Sequence, residues 1–235
     1  MLQRFRLDRR VGAVYLGLVL AGCHSSPPVL LPAGLTAADS AQVAGWVAAT
    51  TPKGGALHRF GWHFQDEQAD KGGRGAARVA APDTLRFDFA GSLGIGKGSA
   101  MVVRDAPVWV VPERSVEDLV PSFPLLWAMI GVAMPPKPGD RLSGLEQGDR
   151  TAWRYANGAD TVEYLRVAGN PVAFSSEVRH AGKVVGRTRI TLRPDGSLVK
   201  AELLVPSAPA KLEITYSATA PAPTFPPDTW ARPQP

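Results

Sequence analysis

Residues 85–89 read Leu-Arg-Phe-Asp-Phe, and this alternation of apolar and charged side chains decides the fold. A period of two predicts a β-strand with Leu85, Phe87 and Phe89 on one face and the two charged residues on the other. Such a strand is half-buried, because one face packs on a core while the other meets water. The stretch therefore predicts an antiparallel sheet with one aromatic face.

The same period recurs through most of the chain. Upstream, Phe60, Trp62 and Phe64 alternate with glycine or polar residues and extend the aromatic face. Downstream, turn signals such as Asn157-Gly158 separate short runs at intervals of roughly 8–12 residues. We predict a mainly β fold of about eleven strands in one large antiparallel sheet or barrel. The predicted strands cover 58–65, 76–80, 85–89, 100–104, 108–111, 151–155, 161–167, 172–179, 184–192, 198–205 and 211–217.

Helices are predicted in two places only, before the sheet and in its middle. Residues 36–50 predict an N-terminal helix capped by Thr36, with an apolar face that includes Val43. In the middle, residues 115–120 predict a short helix, and residues 124–134 are apolar almost all round until two prolines stop them. The second of these is too short to span a bilayer, so it has to be buried or to contact lipid.

The N-terminus has the layout of a secretory signal. Ten residues rich in arginine precede an apolar run over 11–20, which as a helix would span roughly 15 Å, about half a bilayer core. The run ends in Leu-Ala-Gly-Cys at 20–23, which resembles a bacterial lipobox. That resemblance implies that Cys23 receives a lipid and that residues 1–22 are cleaved as a signal peptide. His24 follows, where an aspartate would retain many lipoproteins in the inner membrane, so we predict an outer-membrane anchor facing the periplasm. Arg9-Arg10 leaves twin-arginine export open beside ordinary secretion.

Composition excludes several classes of function. Residues 1–22 carry +3 of the net charge of +5, and the remaining +2 is too small to indicate a nucleic-acid partner. One cysteine excludes a disulfide scaffold and a CxxC metal site. Of the four histidines, His58 and His63 point to opposite faces of a strand, so they cannot hold one ion. We expect no metal and no cofactor.

Two glycine-rich patterns resemble enzyme motifs, and both are incomplete. Residues 91–98 resemble a phosphate-binding loop, but Gly98 stands where the metal-binding hydroxyl belongs and a strand follows in place of a helix. Ser92 resembles the serine of a nucleophile elbow, with His180 as the candidate base, in an antiparallel rather than α/β setting. We expect the protein not to be an enzyme, and a serine hydrolase is the remaining catalytic hypothesis.

The order of elements over residues 36–218 resembles the LolA/LolB lipoprotein-localisation fold. The resemblance is carried by the N-terminal helix, the strands before residues 85–89, the loop Gly-Ser-Leu-Gly at 91–94, and the mid-chain segment Phe-Pro-Leu-Leu-Trp-Ala-Met-Ile-Gly at 123–131. It implies an α+β, mainly β fold: an incomplete antiparallel barrel of about eleven strands whose hydrophobic cavity, covered by helices, holds acyl chains. In LolB-type proteins an exposed leucine of the protruding loop helps to deliver the lipoprotein, which implies a membrane-facing role for Leu93. We predict the same role for Ile95, because an apolar residue on this glycine-rich tip costs little to expose beside a bilayer. The implied cavity residues are Phe60, Trp62, Phe64, Leu85, Phe87, Phe89, Leu125, Leu126, Trp127, Met129 and Ile130.

Two functional hypotheses follow from the resemblance. The first is a LolB-like outer-membrane lipoprotein that binds acyl chains of lipoprotein or phospholipid and accepts or inserts lipoproteins. Its partners would be the outer membrane through Cys23 and a periplasmic carrier protein, and we expect a monomer. The second is a lipid-anchored envelope assembly or sensor protein whose cavity is filled. Residues 23–35 form the predicted tether, and the proline-rich tail at 219–235 either packs on the barrel or hangs free.

Overall fold

The computed structural model describes residues 31–92, 97–112, 120–222 and 224–233, and within these ranges most of the chain forms one antiparallel sheet. The helices are α1 (Ser40–Ala48), α2 (Phe123–Ala128) and a 3-10 turn at Pro227–Trp230. None of the helices in the described ranges has the length and hydropathy to cross a membrane. The strands are β1 (Thr36–Ala37), β2 (Ala56–Gln65), β3 (Asp70–Ala80), β4 (Thr84–Gly91), β5 (Lys97–Val103), β6 (Ala106–Val111), β7 (Arg141–Gln147), β8 (Arg150–Asn157), β9 (Asp160–Val167), β10 (Val172–His180), β11 (Lys183–Leu192), β12 (Leu198–Val205) and β13 (Ala210–Pro221).

The sheet joins the two halves of the chain through its first long strand and its last. Its order is β1-β7-β8-β9-β10-β11-β12-β13-β2-β3-β4-β5-β6, and every pair is antiparallel. At the junction of β13 with β2, Ile214 lies opposite Trp62. β1 and β6 stand at the two edges, so the sheet stays open. The prediction of a mainly β fold with an incomplete antiparallel barrel is confirmed.

The N-terminal helix is shorter than predicted at its start. Asp39 caps α1: its carboxylate accepts the Gln42 backbone N–H at 2.7 Å, and the Gln42 side chain accepts the Asp39 N–H at 3.2 Å. This capping box satisfies the free amide groups of the first turn, so the helix begins at Ser40. Thr36, the predicted cap, lies instead in β1, opposite Gly144 of β7.

The predicted helix over 124–134 ends early, although the whole segment is buried. α2 stops at Ala128, and Gly131 has a φ of +77°, which a right-handed helix does not allow. Side chains of the sheet bind the carbonyl groups that the missing turns leave free: Tyr216 donates to Met129 at 2.6 Å and Tyr155 to Met134 at 3.1 Å. The segment from 123 to 134, called the inner segment below, therefore fills part of the barrel with its first half helical and its second half non-helical. The short helix predicted at 115–120 lies, but for its last residue, outside the described residues.

Two further features differ from the sequence-based expectation, and part of the tail is described as well. The predicted strand at 76–80 begins earlier, at Asp70, because the glycines before it pair with β2, so the turn between β2 and β3 is only four residues long. β7 was not predicted. The tail, left open above, packs on the sheet over 224–233: Arg86 of β4 donates to the Thr229 carbonyl, and the Trp109 indole N–H donates to the Trp230 carbonyl at 3.1 Å.

Candidate functional site

A cavity of about 880 Å³ lies inside the barrel, between the inner segment and the strands around the β13–β2 junction. Its size falls in the upper part of the range of roughly 300–1,000 Å³ that is usual for small-molecule sites. Most of the lining is apolar, and the polar side chains come from the turns at one end of the barrel, called the mouth below. The lining residues are Phe60, Trp62, Phe64, Asp66, Asp70, Lys71, Gly72, Phe87, Phe89, Gly91, Ser92, Lys97, Pro112, Val120, Leu126, Met129, Ala208, Ala210, Leu212 and Ile214.

Aromatic side chains of β2 and β4 form one wall of the cavity. Phe60 contacts Phe87 with ring centroids 5.8 Å apart, and Trp62 meets Phe89 edge-on at 5.9 Å. The Trp62 indole N–H donates to the Ala90 carbonyl at 3.2 Å, which satisfies its polar atom on the strand. The rings are therefore held to the sheet, and the wall they present to the cavity is apolar.

Glycines beneath these rings make the space that the cavity occupies. A Cβ atom on Gly98 of β5 would lie 2.0 Å from the Phe89 ring, and one on Gly75 of β3 would lie 2.3 Å from the Phe60 ring. Both distances are far below van der Waals contact, so only glycine lets each ring lie flat on the neighbouring strand. With side chains at these two positions, the rings would stand further into the barrel and the cavity would shrink.

The opposite wall comes from β13 and the inner segment. Ala210, Leu212 and Ile214 alternate along β13 toward the cavity, and Leu126 and Met129 close it from the inner segment. These three β13 residues were not among the predicted cavity residues. Their period of two was visible, but their place beside Trp62 depends on the pairing of β13 with β2, which no local pattern reveals.

Seven of the eleven predicted cavity residues line this space, and four do not. Leu85, Leu125, Trp127 and Ile130 are buried in the core, with exposures of 0%, 0%, 2% and 5%. The Trp127 indole N–H donates to the Arg104 carbonyl at 2.7 Å, which ties the inner segment to the end of β5. The seven lining residues are Phe60, Trp62, Phe64, Phe87, Phe89, Leu126 and Met129.

Charged side chains at the mouth differ in whether they have partners. Asp66 accepts the backbone N–H groups of Gln68 and Ala69, at 2.7 and 2.6 Å, and so closes its own turn. Asp70 contacts His63 at 2.6 Å. Lys71 lies directly opposite Phe64 in the β2–β3 register, which places its side chain on the inner face. Within the described ranges, no carboxylate lies within ion-pair distance of Lys71.

The other candidate residues do not come together into a site. Ser92 donates to the Gly72 carbonyl at 2.9 Å, while His180 contacts Asp160 at 2.7 Å on β9. Among the described residues, no group of three metal-ligating side chains is found. His58 packs against Tyr216, and burial lowers the pKa of this histidine. The predicted lipidation site Cys23 and the predicted membrane-facing Leu93 and Ile95 lie outside the described residues.

Comparison with known proteins finds similar structures but no similar sequences: no family model and no curated protein matches the chain. A LolA superfamily protein from Nitrosomonas europaea is 8% identical, with a TM-score of 0.46 over 83% of this chain and 99% of that one. A domain of an outer membrane lipoprotein-sorting protein from Vibrio parahaemolyticus is 10% identical, with a TM-score of 0.38 over 80% and 94% of the two chains. MucB, in its complex with MucA(peri), is 12% identical, with a TM-score of 0.35 over 83% and 60%. The names of the first two match the family that the sequence resembles.

Proposed function

We propose that this domain binds an acyl chain of a lipid or lipoprotein in the cavity between the aromatic wall and β13. The observation that carries the proposal is an unfilled volume of about 880 Å³ with apolar walls and a polar mouth. A filled interior would instead have favoured the assembly or sensor hypothesis. Burying hydrocarbon against such walls contributes about 0.8 kcal/mol for each methylene group.

The volume is large enough for an acyl chain. A methylene group takes up about as much space as one water molecule in the liquid, ~30 Å³, so a chain of about 16 carbons needs roughly 480 Å³. The cavity, at about 880 Å³, has room for such a chain and for the part of the ligand that reaches the mouth.

The biological role that we propose for this binding is LolB-like. The lipobox at 20–23 and the histidine at 24 support a protein anchored in the outer membrane through Cys23 and facing the periplasm. A lipoprotein delivered by a periplasmic carrier would place an acyl chain in the cavity and then pass it to the membrane. Leu93 and Ile95, in the loop between β4 and β5, are the residues that we propose to contact the bilayer.

Native mass spectrometry of the full chain tests acyl-chain binding. We expect the protein purified from an envelope fraction to carry phospholipid or acylated peptide. Leu212→Trp adds bulk at the β13 wall and should reduce the lipid-bound fraction. Leu204→Trp is the matched control: Leu204 lies on β12 opposite Lys211, on the outer face, and its substitution should leave lipid binding unchanged.

Two results would contradict the proposal. One is an unliganded mass together with no uptake of added lipid, which would favour the envelope assembly or sensor hypothesis. The other is an equal bound fraction in the Leu212→Trp and Leu204→Trp variants, which would place the lipid elsewhere. Both variants should first show cooperative thermal unfolding, so that loss of binding is not confused with loss of the fold.

A further inference from the structure

We propose that the ligand is an amphiphile with an anionic head, and that Lys71 binds that head at the mouth of the cavity. This inference rests on the proposed acyl-chain binding and names the chemistry of the other end of the ligand. Phosphate and carboxylate share the chemistry required, which is a negatively charged oxygen within reach of an ammonium group.

The lining of the cavity is divided into an apolar and a polar region. Aromatic and aliphatic side chains line the interior, while the charged residues of the described lining come from the β2–β3 and β4–β5 ends, where they are partly or fully exposed to solvent. A ligand that is apolar along its whole length would match only the interior. A ligand with a polar head at one end matches both regions.

The charged side chains at the mouth point to different faces of the sheet. Register places Lys71 on the same face as Phe64, whose ring lines the cavity. Asp70 lies opposite Gln65 on the outer face, where it contacts His63. The carbon next to the head would thus pack on Phe64, while the head itself meets the Lys71 ammonium group.

The charged groups at the mouth also differ in whether they already bind another group of the chain. Asp66 is occupied by two backbone N–H groups of its own turn, and Asp70 by His63. Lys71 has no ion-pair partner in the described part of the chain. Lys97 also lines the mouth, but it lies opposite Ala90, next to the inward-facing pair of Phe89 and Gly98, so register directs its side chain outward. Among the described residues, the charge on the inner face that remains free for a ligand is therefore positive.

Four probes with the same twelve-carbon chain test the proposal: dodecyl phosphate, dodecanoate, dodecyl maltoside and dodecyltrimethylammonium. Their Kd values for the full chain carrying Cys23→Ser, which removes the acceptor thiol, are measured by calorimetry at low salt. We expect the anionic probes to bind about 5-fold more tightly than the maltoside, the size of effect usual for one exposed charge pair. The cationic probe should bind most weakly. In 1 M salt, where the screening length is about 3 Å, the preference should shrink.

Substitutions assign the preference to one side chain. Lys71→Met keeps the length of the side chain and removes the charge, so the ratio between anionic and neutral probes should fall to about one. Lys53→Glu is the control, because Lys53 is an exposed lysine before the opposite end of β2. Tighter binding of the phosphate than of the carboxylate would indicate a phospholipid-like source, and equal binding a fatty-acid-like one.

The outcomes separate this inference from the function on which it rests. Equal affinity for all four probes would overturn the anionic head and leave acyl-chain binding intact. An anionic preference that persists in Lys71→Met would overturn the role of Lys71, because another group would then bind the head. Failure of every probe to bind would overturn both proposals.

Discussion

Gly98→Ala should push the Phe89 ring into the cavity, and this substitution tests whether glycines create the binding space. The new Cβ would lie 2.0 Å from the tip of the ring, whereas ordinary contact begins at 3.4 Å, so the ring must retreat by about 1.4 Å. The strand backbone lies beneath the ring and Trp62 stands edge-on beside it, with centroids 5.9 Å apart. The Phe89 ring can therefore move toward the cavity, where there is empty space.

The expected magnitude follows from overpacking. Inserting a methyl group into a packed region costs about 1–3 kcal/mol, and for a domain of this size each kcal/mol lowers Tm by about 2–4 °C. We therefore expect Tm to fall by roughly 2–12 °C. If the displaced ring excludes one methylene group of the bound chain, the Kd rises about fourfold, because each buried methylene contributes about 0.8 kcal/mol.

Calorimetry and lipid titration of three variants measure this effect. Gly98→Ala should lose both stability and affinity, and the double variant Gly98→Ala with Phe89→Leu should recover part of the stability, with a coupling energy of about 0.5–3 kcal/mol. Gly45→Ala is the control, since nothing lies within 4 Å of its Cβ position in α1. It should stabilise the protein by about 0.5–1 kcal/mol, because alanine favours a helix. An unchanged Tm for Gly98→Ala, or additive effects in the double variant, would refute the reasoning.

Three further predictions concern stability. Tyr216→Phe removes the hydroxyl that donates to the buried Met129 carbonyl and should lower the free energy of unfolding by about 1–3 kcal/mol in urea titration; no loss would mean that the inner segment is held by other contacts. Burial lowers the pKa of His58, so the unfolded chain takes up the proton first and the free energy of unfolding should fall as pH drops through 6.5; a His58→Phe variant should lack this component, and an identical pH profile would contradict it. Arg86→Met removes the donor to the Thr229 carbonyl and should speed proteolysis of residues 224–233 about tenfold, while unchanged cleavage would mean that the tail binds independently of this contact.

The sheet could be predicted from the sequence because its two faces differ in polarity. At residues 85–89 the apolar side chains lie on the inner face and the charged ones on the outer face, so the local sequence shows a period of two. The inner segment is different. It is buried all round, so periodicity carries no information about its conformation, and Gly131 and the tyrosine hydroxyls decide where its helix ends.

The candidate site could be predicted only in part, for a similar reason. Phe60 and Phe87 were recognisable because each belongs to a strand with a clear aromatic face. Gly98 belongs to the glycine-rich pattern at 91–98 and Gly75 lies just before a predicted strand, so neither position indicates by itself that an aromatic ring lies over it. Lys71 lies before the predicted strand at 76–80, and its place opposite Phe64 depends on pairing that the local sequence does not show.

The junction of β2 with β13 has a consequence for how the chain reaches this structure. His58 and Thr219, which are hydrogen-bonded across it, are 161 positions apart in the sequence. β2 therefore cannot complete its pairing until β13 has been synthesised. The walls of the cavity meet only when nearly the entire chain has left the ribosome. Contacts of such long range slow folding, because the chain loses the entropy of closing the intervening loop before the contact contributes any stabilisation. The aromatic face of β2 stays exposed during that interval, so we expect newly synthesised chains to depend on a holding chaperone until β13 pairs.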